Sequence, residues 1–375
     1  MAHNIELKFM LDHHQRIDEI FNAFRFDTER CYKQEDLYLY GADCYFKLRI
    51  DDNNPSHILC YKRLTSPVLR ESSYEKIELD HSTRSIVQYI FQHVKLAGTV
   101  KKKRRQIKGI NVLINIDEVL ADDWQSTLYS VVEIEYFANT DRALNGEGIV
   151  AELLRLMAVR PQQIMPYSNI HMVNMIKRSK IERQKYKDAK DAGRLVLIDG
   201  GSGTGKSTIK DILVKEYGLH YAKRDTTRPP RPDDYVTGDY NFASRGEFDT
   251  TAIDGAYIEF RDFLFGMSYG LPWYQFIDPL CRGSDVMALI NLGNGYFTKR
   301  LFPEASLVLL HADIDVVRRR LESRGTATIE QLEERLENNR LAKTYVEAYD
   351  VNIDTSRHSA PETAEMIMGE LRGHV

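Results

Sequence analysis

Between Leu195 and Thr208 the chain reads Leu-Val-Leu-Ile-Asp-Gly-Gly-Ser-Gly-Thr-Gly-Lys-Ser-Thr. The spacing of Gly200, Gly205, Lys206 and Ser207 is G-x-x-x-x-G-K-S, the pattern of a phosphate-binding loop. Gly200, Gly201, Gly203 and Gly205 permit positive φ, so backbone N–H groups, those of Ser202 and Thr204 included, can close around phosphate oxygens. The N-terminus of the helix that follows, at Ser207 and Thr208, adds partial positive charge at the same point. Lys206 would reach the β- and γ-phosphates of a nucleoside triphosphate such as ATP, and the Ser207 hydroxyl would ligate Mg²⁺.

Two further cationic sets lie downstream. In Lys223-Arg-Asp-Thr-Thr-Arg-Pro-Pro-Arg-Pro232, Arg228 and Arg231 are separated by two prolines that stiffen the turn. Two guanidinium forks on a stiff loop suit bidentate binding of another phosphate. In Val316-Val-Arg-Arg-Arg-Leu-Glu-Ser-Arg-Gly-Thr326, Arg320 and Arg324 precede a Gly-Thr break, and Arg335 follows it. A lid with arginines would exclude water and neutralise charge on a transferring phosphoryl group; a solvated helix face is the plainer reading.

The N-terminal half distributes charge differently. Lys47 and Arg49 share a strand face, as do Lys102 and Arg104, whereas Asp117, Glu133 and Glu135 make other strands acidic. On an open sheet such faces are simply wet. In a closed barrel they would line the inside, where carboxylates ligate a divalent cation while Lys and Arg neutralise phosphates.

The elements that must position these groups follow from periodicity. Asn4–Met10 alternates polar and apolar residues as a strand does. Further strands are expected at Glu35–Tyr40, Cys44–Ile50, His57–Arg63, Ser72–Glu78, Val100–Arg105, Ile110–Val119 and Ser130–Phe137. Helical spacing marks Ile17–Phe24, Arg84–Val94 and Glu147–Met157. In the C-terminal half Leu195–Ile198, Val286–Ile290 and Ala305–Leu310 read as buried strands, Gly238–Phe242 and Tyr257–Phe260 as short ones, and Ser268–Pro272 as a turn. His171–Ala189 reads as a charge-rich helical connector. The expected organisation is a strand-rich domain over 1–176, a charged helical linker over 177–193 and a phosphate-loop domain over 194–375.

The length of 375 residues accommodates two domains, and 43% apolar with 28% charged residues describes an ordinary soluble protein. A formal net charge of −4 gives no global drive toward nucleic acid or acidic membrane. The four cysteines show no C-x-x-C spacing, which argues against a zinc site or a disulfide framework. Without a signal-peptide pattern or an apolar run of spanning length, a cytoplasmic location is expected. Oligomeric state is not readable.

The order Asn-Ile-Glu-Leu-Lys, Tyr-Phe-Lys-Leu-Arg, Cys-Tyr-Lys-Arg, Val-Lys-Lys-Lys-Arg-Arg, Ile-Asp-Glu-Val and Glu-Ile-Glu resembles a CYTH domain over about residues 3–175. That family comprises class IV adenylate cyclases, thiamine triphosphatases and tripolyphosphatases, built on an antiparallel triphosphate-tunnel β-barrel with flanking helices. The resemblance implies that Glu6, Asp117, Glu133 and Glu135 hold Mg²⁺, with Mn²⁺ an alternative, and that Lys8, Lys47, Arg49, Arg63, Lys102 and Arg104 bind the triphosphate. One departure is Asn4, where the family's E-x-E-x-K opening has its first Glu. An amide offers a carbonyl oxygen but no charge, so metal binding would be weaker.

Residues 194–375 resemble guanylate kinase through the phosphate loop, Thr-Thr-Arg-Pro-Pro-Arg-Pro, Gly-Asp-Tyr-Asn-Phe, Ile-Glu-Phe, Tyr-Gly and Arg-Leu-Glu-Ser-Arg-Gly-Thr. This implies a P-loop nucleoside monophosphate kinase fold, α/β with a parallel sheet, beside the α+β N-terminal half. It also implies that Arg228, Arg231, Tyr240 and Tyr269 hold the acceptor phosphate and Glu259 the guanine. Lys206, Arg320, Arg324 and Arg335 would serve the transferring phosphate. Departures fall on base recognition: Leu271 stands where the family has Ser, and Asn291 where it has Asp. Ser-Tyr-Gly-Leu-Pro and Asn291 also resemble ribose 1,5-bisphosphate phosphokinase. The acceptor therefore stays open between GMP and another phosphorylated metabolite, and a non-catalytic nucleotide-binding module is the competing class. In the N-terminal half, hydrolysis, cyclisation and simple binding of a triphosphate stay open.

Overall fold

A computed structural model describes residues 4–11, 28–40, 44–52, 57–62, 70–71, 74–93, 96–109, 112–137, 154–155, 157–231, 234–262, 267–323 and 329–373. The side chains of residues 4–6 and of a minority of others in these ranges lie outside the described set. The expected helix at Ile17–Phe24, most of that at Glu147–Met157, Arg63, Arg324 and the Gly325–Thr326 break are likewise outside it. Among the described residues no helix is long and apolar enough to cross a membrane. The chain folds as two compact units, and the main division falls between Ile176 and Lys177, inside the helix Asn169–Asp188, with Ile253–Gly255 and Asp262 also grouped with the first unit.

The first unit is built on nine strands: β1 Asn4–Met10, β2 Thr28–Tyr40, β3 Cys44–Asp51, β4 His57–Lys62, β5 Arg70–Glu71, β6 Tyr74–Glu78, β7 Gly98–Lys108, β8 Val112–Leu120 and β9 Thr127–Phe137. They form one antiparallel sheet in the order β5-β1-β9-β8-β7-β2-β3-β4-β6. The two edge strands, β5 and β6, are consecutive in the chain. Only residues 72–73 separate them, a gap of three residue steps that spans at most about 11 Å. One edge of the sheet is therefore tied to the other, which closes it into the expected barrel.

Strict alternation sorts the two faces. Leu7, Phe9, Ile107, Ile114, Val132 and Ile134 share one apolar cluster with Met157. Their neighbours Lys8, Asn115, Asp117 and Glu133 point the other way, into the barrel. On β7 the same rule buries Lys102 and Arg104 and leaves Lys103 in solvent.

The second unit holds a parallel sheet of β11 His220–Tyr221, β16 Val286–Leu289, β10 Leu195–Gly200, β17 Ser306–His311 and β18 Val351–Asp354, in that spatial order. Strand β10 is buried at every position. The helices Lys206–Lys215 and Ala360–Gly373 cover one face, with Ile209, Leu213, Ile367 and Leu371 packed on Val196, Ile198 and Val308. A separate sheet orders β13 Tyr240–Phe242, β12 Arg224–Thr226, β15 Ser268–Pro272 and β14 Tyr257–Asp262. Ser268–Pro272 is thus a strand and not the expected turn. Its Gly-Leu-Pro end looks turn-like locally, but Tyr269 and Gly270 pair with Thr226 and Asp225, and tertiary pairing overrides local preference.

Within this unit the charged helix is anchored: Arg183 meets Glu304 at 2.6 Å, and the Tyr186 ring lies 5.2 Å from that of Phe302. The chain enters β10 through Gly193, where an added Cβ would sit 1.9 Å from the Ser284 carbonyl oxygen. Gly193→Ala should therefore destabilise this unit by about 1–3 kcal/mol, the usual cost of overpacking against a structure that cannot yield. Urea unfolding followed at Trp273 fluorescence would measure it.

Candidate functional sites

The phosphate loop leaves the carboxyl end of β10, the middle strand of the parallel sheet. Gly200, Gly203 and Gly205 hold φ of 150°, 87° and 95°. At Gly201 a Cβ would meet the Asn339 side-chain oxygen at 2.1 Å, so that side chain would have to move aside. Asn339 instead donates its amide to Ser202 O at 3.0 Å. Lys206 folds back over the loop and donates to Gly200 O at 2.6 Å and Gly201 O at 2.8 Å. Thr204 is buried and donates to Gly201 O, while Ser207 and Thr208 face solvent at the helix start. Arg320 is brought to the same loop, with Nη1 on Gly203 O at 3.2 Å and Nη2 on Thr355 O at 2.9 Å. Arg335 lies on the helix Ile329–Ala342, and its carbonyl accepts the Asn339 amide.

Asp199 is a part of this site that the motif spacing does not include. It is fully buried at the end of an apolar strand and accepts from Gly200 N at 2.6 Å, from Gly293 N at 3.2 Å and from the Tyr349 hydroxyl. Burial pushes its carboxyl above the ordinary range, against the pull of those donors and of Lys206. A charged residue closing a buried strand one position before the loop was the available signal.

The four-stranded sheet and its adjoining loop carry Arg228, Tyr240, Tyr269 and Glu259. Arg228 is buried, with its guanidinium gripped by Asp234 through two bonds of 2.6 Å and set over the Tyr240 ring at 4.9 Å. Arg231 is exposed, and its backbone N–H donates to Asp234 at 2.5 Å. Glu259 is wholly buried; its Oε2 accepts Asn291 Nδ2 at 2.8 Å and Asn294 Nδ2 at 2.7 Å. The turn Asn291–Gly295 therefore touches both parts, Glu259 on one side and Asp199 on the other.

In the barrel the expected cations converge on carboxylates. Arg104 makes two bonds of 2.6 Å to Asp117 and one of 3.0 Å to Glu133, Lys102 lies 3.0 Å from Asp117, and Lys8 lies 3.4 Å from Glu133. Asn115 donates to Glu135 at 3.0 Å. Arg49 pairs with Asp36 at 2.8 and 3.0 Å, and Lys47 stands 3.7 Å from it. Asp36, within the strand expected at Glu35–Tyr40, joins this set although it was not among the expected site residues. By register Glu6 stands opposite Glu135, and Lys8 opposite Glu133. Burial alone would raise the Asp117 and Asp36 carboxyls, yet the cations beside them hold both below the ordinary value. For Lys47, burial, joined by the charge of Arg49, pushes the ammonium down to about 7.

Asp117 is the counter-charge for two buried cations. Asp117→Asn should cost about 3–5 kcal/mol, the penalty for stranding a buried charge, read as a lowered urea midpoint with the far-UV signal as probe. An unchanged midpoint would mean that the lattice is not a structural element.

A family model for guanylate kinase matches residues 192–360, and one for the CYTH domain matches residues 2–157. The guanylate kinase of Chlorobium luteolum is 33% identical over 164 residues, covering 43% of this chain and 83% of the relative. That of Gloeobacter violaceus is 31% identical over 180 residues, covering 47% and 87%. Among solved structures, a guanylate kinase from Anaplasma phagocytophilum is 22% identical over 49% of this chain and 87% of its own, with a TM-score of 0.39. A putative adenylyl cyclase from Hippeastrum, described as having a dominant triphosphatase activity, is 13% identical over 43% and 89%, with a TM-score of 0.31. The chain thus carries a CYTH domain followed by a guanylate kinase domain, and through the latter it belongs to the guanylate kinase family.

Proposed function

We propose that the C-terminal unit transfers the γ-phosphate of ATP to the phosphate of a second metabolite. The observation that carries this is the Asn291–Gly295 turn, which binds Asp199 at the base of the phosphate loop and Glu259 in the acceptor sheet. It couples the donor cradle to the acceptor cradle. An acceptor phosphate oxygen attacks the γ-phosphorus and forms the new P–O bond. The bond from that phosphorus to the β,γ-bridging oxygen breaks, and ADP leaves with the electron pair. The acceptor phosphate is already anionic at neutral pH, so catalysis reduces to positioning and charge neutralisation. Lys206 leaves its two loop carbonyls for the β- and γ-phosphates. Arg228, Arg231, Tyr240 and Tyr269 hold the acceptor, and Arg320, Arg324 and Arg335 serve the transferring group. Mg²⁺ held with Ser207 would offset charge on the β- and γ-oxygens. GMP is the acceptor that the relatives' name designates.

The N-terminal unit we read as a site that binds and hydrolyses a linear triphosphate, with cyclisation of ATP as the alternative. Lys8, Lys47, Arg49, Lys102 and Arg104 would exchange their carboxylate partners for phosphate oxygens, and Arg63 would join them there. Glu133, Glu135 and Glu6, neighbours by register, offer the hard oxygen donors that Mg²⁺ or Mn²⁺ takes, and Asp117 would complete the set. Such an ion would polarise the phosphoryl group under attack.

Lys206→Ala should lower ADP formation with acceptor by at least about 10²-fold, in a coupled assay, without changing triphosphate hydrolysis by the same chain. Equal turnover by the variant would end the kinase reading. In that background, orthophosphate released from ATP indicates hydrolysis and pyrophosphate indicates cyclisation.

Proton linkage supplies another check. An incoming polyanion favours charged Lys47, whose free ammonium titrates near 7. Affinity for tripolyphosphate should fall as pH rises from 7 to 9, by up to about tenfold per unit, with proton uptake on binding. Calorimetry in buffers of different ionisation enthalpy would detect the uptake, and Lys47→Arg, which stays charged, should flatten the profile.

A further inference from the structure

Lys210 lies on the helix Lys206–Lys215 and has no part in the reading above. It follows Lys206 by four residues, so the two stand on one face of that helix, about 6 Å apart along its axis. Lys210 is 7% exposed. Its Nζ donates to both carboxylate oxygens of Asp239 at 2.7 Å, lies 3.1 Å from Asp211 Oδ1 and sits 5.2 Å from the centre of the Tyr221 ring. Burial alone would lower its ammonium, yet the bonds to Asp239 and Asp211 hold it above the ordinary value. The charge is therefore kept at every physiological pH.

Asp239 is placed by the segment that carries it. The short helix Asp234–Thr237 stops at Gly238, whose φ of 60° is the left-handed conformation that glycine adopts without strain. The Gly238 N–H donates to Asp234 O at 2.9 Å. Asp239 comes next, and Tyr240 opens β13 directly after it, paired in register with Arg224 of β12. The Arg228 guanidinium lies 4.9 Å from the centre of the Tyr240 ring, and that of Arg224 lies over the Tyr240 and Tyr269 rings at 5.8 and 5.3 Å. Residues 234–240 thus have two fixed points, Asp234 on Arg228 and Asp239 on Lys210.

Separation is what phosphoryl transfer demands most strictly. The attacking oxygen must come within about 3–3.5 Å of phosphorus, and a misplacement of about 1 Å costs on the order of 10²-fold. In the reading above Lys206 fixes the donor end of that distance, and Arg228 with Tyr240 fixes the acceptor end. Lys210 stands on the element that carries the first and grips the residue next to the second.

We propose that the Lys210–Asp239 ion pair is a strut that sets the separation between the phosphate loop and the Arg228–Tyr240 cluster, which makes Lys210 a positioning residue for phosphoryl transfer. This rests on the phosphotransferase reading and adds to it a residue that touches neither substrate.

The test uses the full chain with Mg²⁺, ATP and, in separate series, GMP and ribose 1,5-bisphosphate. Lys210→Met, similar in length but uncharged, and Asp239→Asn should each lower kcat by about 10- to 100-fold while KM for ATP stays within about twofold. The two act as one unit, so the double variant should lose no more than the worse single one. Lys210→Arg, which keeps the charge, should retain most of the activity. A pair that only stabilises the fold would lower the urea midpoint and leave kcat of the folded protein unchanged. Unchanged kcat in both single variants, or a double variant whose loss is the product of the two, overturns the proposal. Hydrogen exchange at the amides of residues 239–242 reads the strut without any turnover: it should quicken by at least about tenfold in Lys210→Met, and equal exchange sinks the strut. Quickened exchange in a chain that phosphorylates neither acceptor would keep the strut and sink the phosphotransferase reading.

Discussion

A cation taken out of water must be held by an opposite charge, or its burial works against the fold. Both units hold cations away from bulk water, and both meet them from within. In the barrel Asp117 holds Arg104 and Lys102, and Asp36 holds Arg49. In the acceptor sheet Asp234 holds Arg228. At the phosphate loop Lys206 settles instead on two backbone carbonyls. Each of these partners is an oxygen acceptor, so every one of these cations is already met from within its own unit.

The backbone explains how such charge is concentrated without unfolding the protein. A strand turns successive side chains to opposite faces, so Lys8 and Glu133 can face the barrel while Leu7, Phe9, Val132 and Ile134 build a core one residue away. Closure through β5 and β6 then converts a face that would be wet into an enclosed one. In the second unit the same economy is achieved by position. The apolar β10 is buried at every residue, and its polar chemistry is deferred to its last residues and the loop beyond them.

The phosphate loop and the four-stranded sheet are joined through one turn. Asn291, Gly293 and Asn294 reach Glu259, Arg224 and Asp199 in a span of four residues. Where the family resemblance expects an acid at position 291, an amide can both accept from Arg224 and donate to Glu259, which an acid could not do at neutral pH. The departure from the family pattern is therefore chemically consistent with the arginine that faces it.

Much of this was legible in the order of residues alone. The G-x-x-x-x-G-K-S spacing, the paired arginines about two prolines and the basic run of β7 are local patterns, and local patterns reflect constraints that act within a few residues. The sequence could not say that Asp36 is the partner of Arg49, that Asp199 ties the loop to Tyr349, or that Arg224 lies against two tyrosines from other strands. Each depends on which strands become neighbours, and pairing is decided by burial across the whole sheet. For the same reason Ser268–Pro272, locally a turn, became a strand once Asp225 and Thr226 offered it an edge.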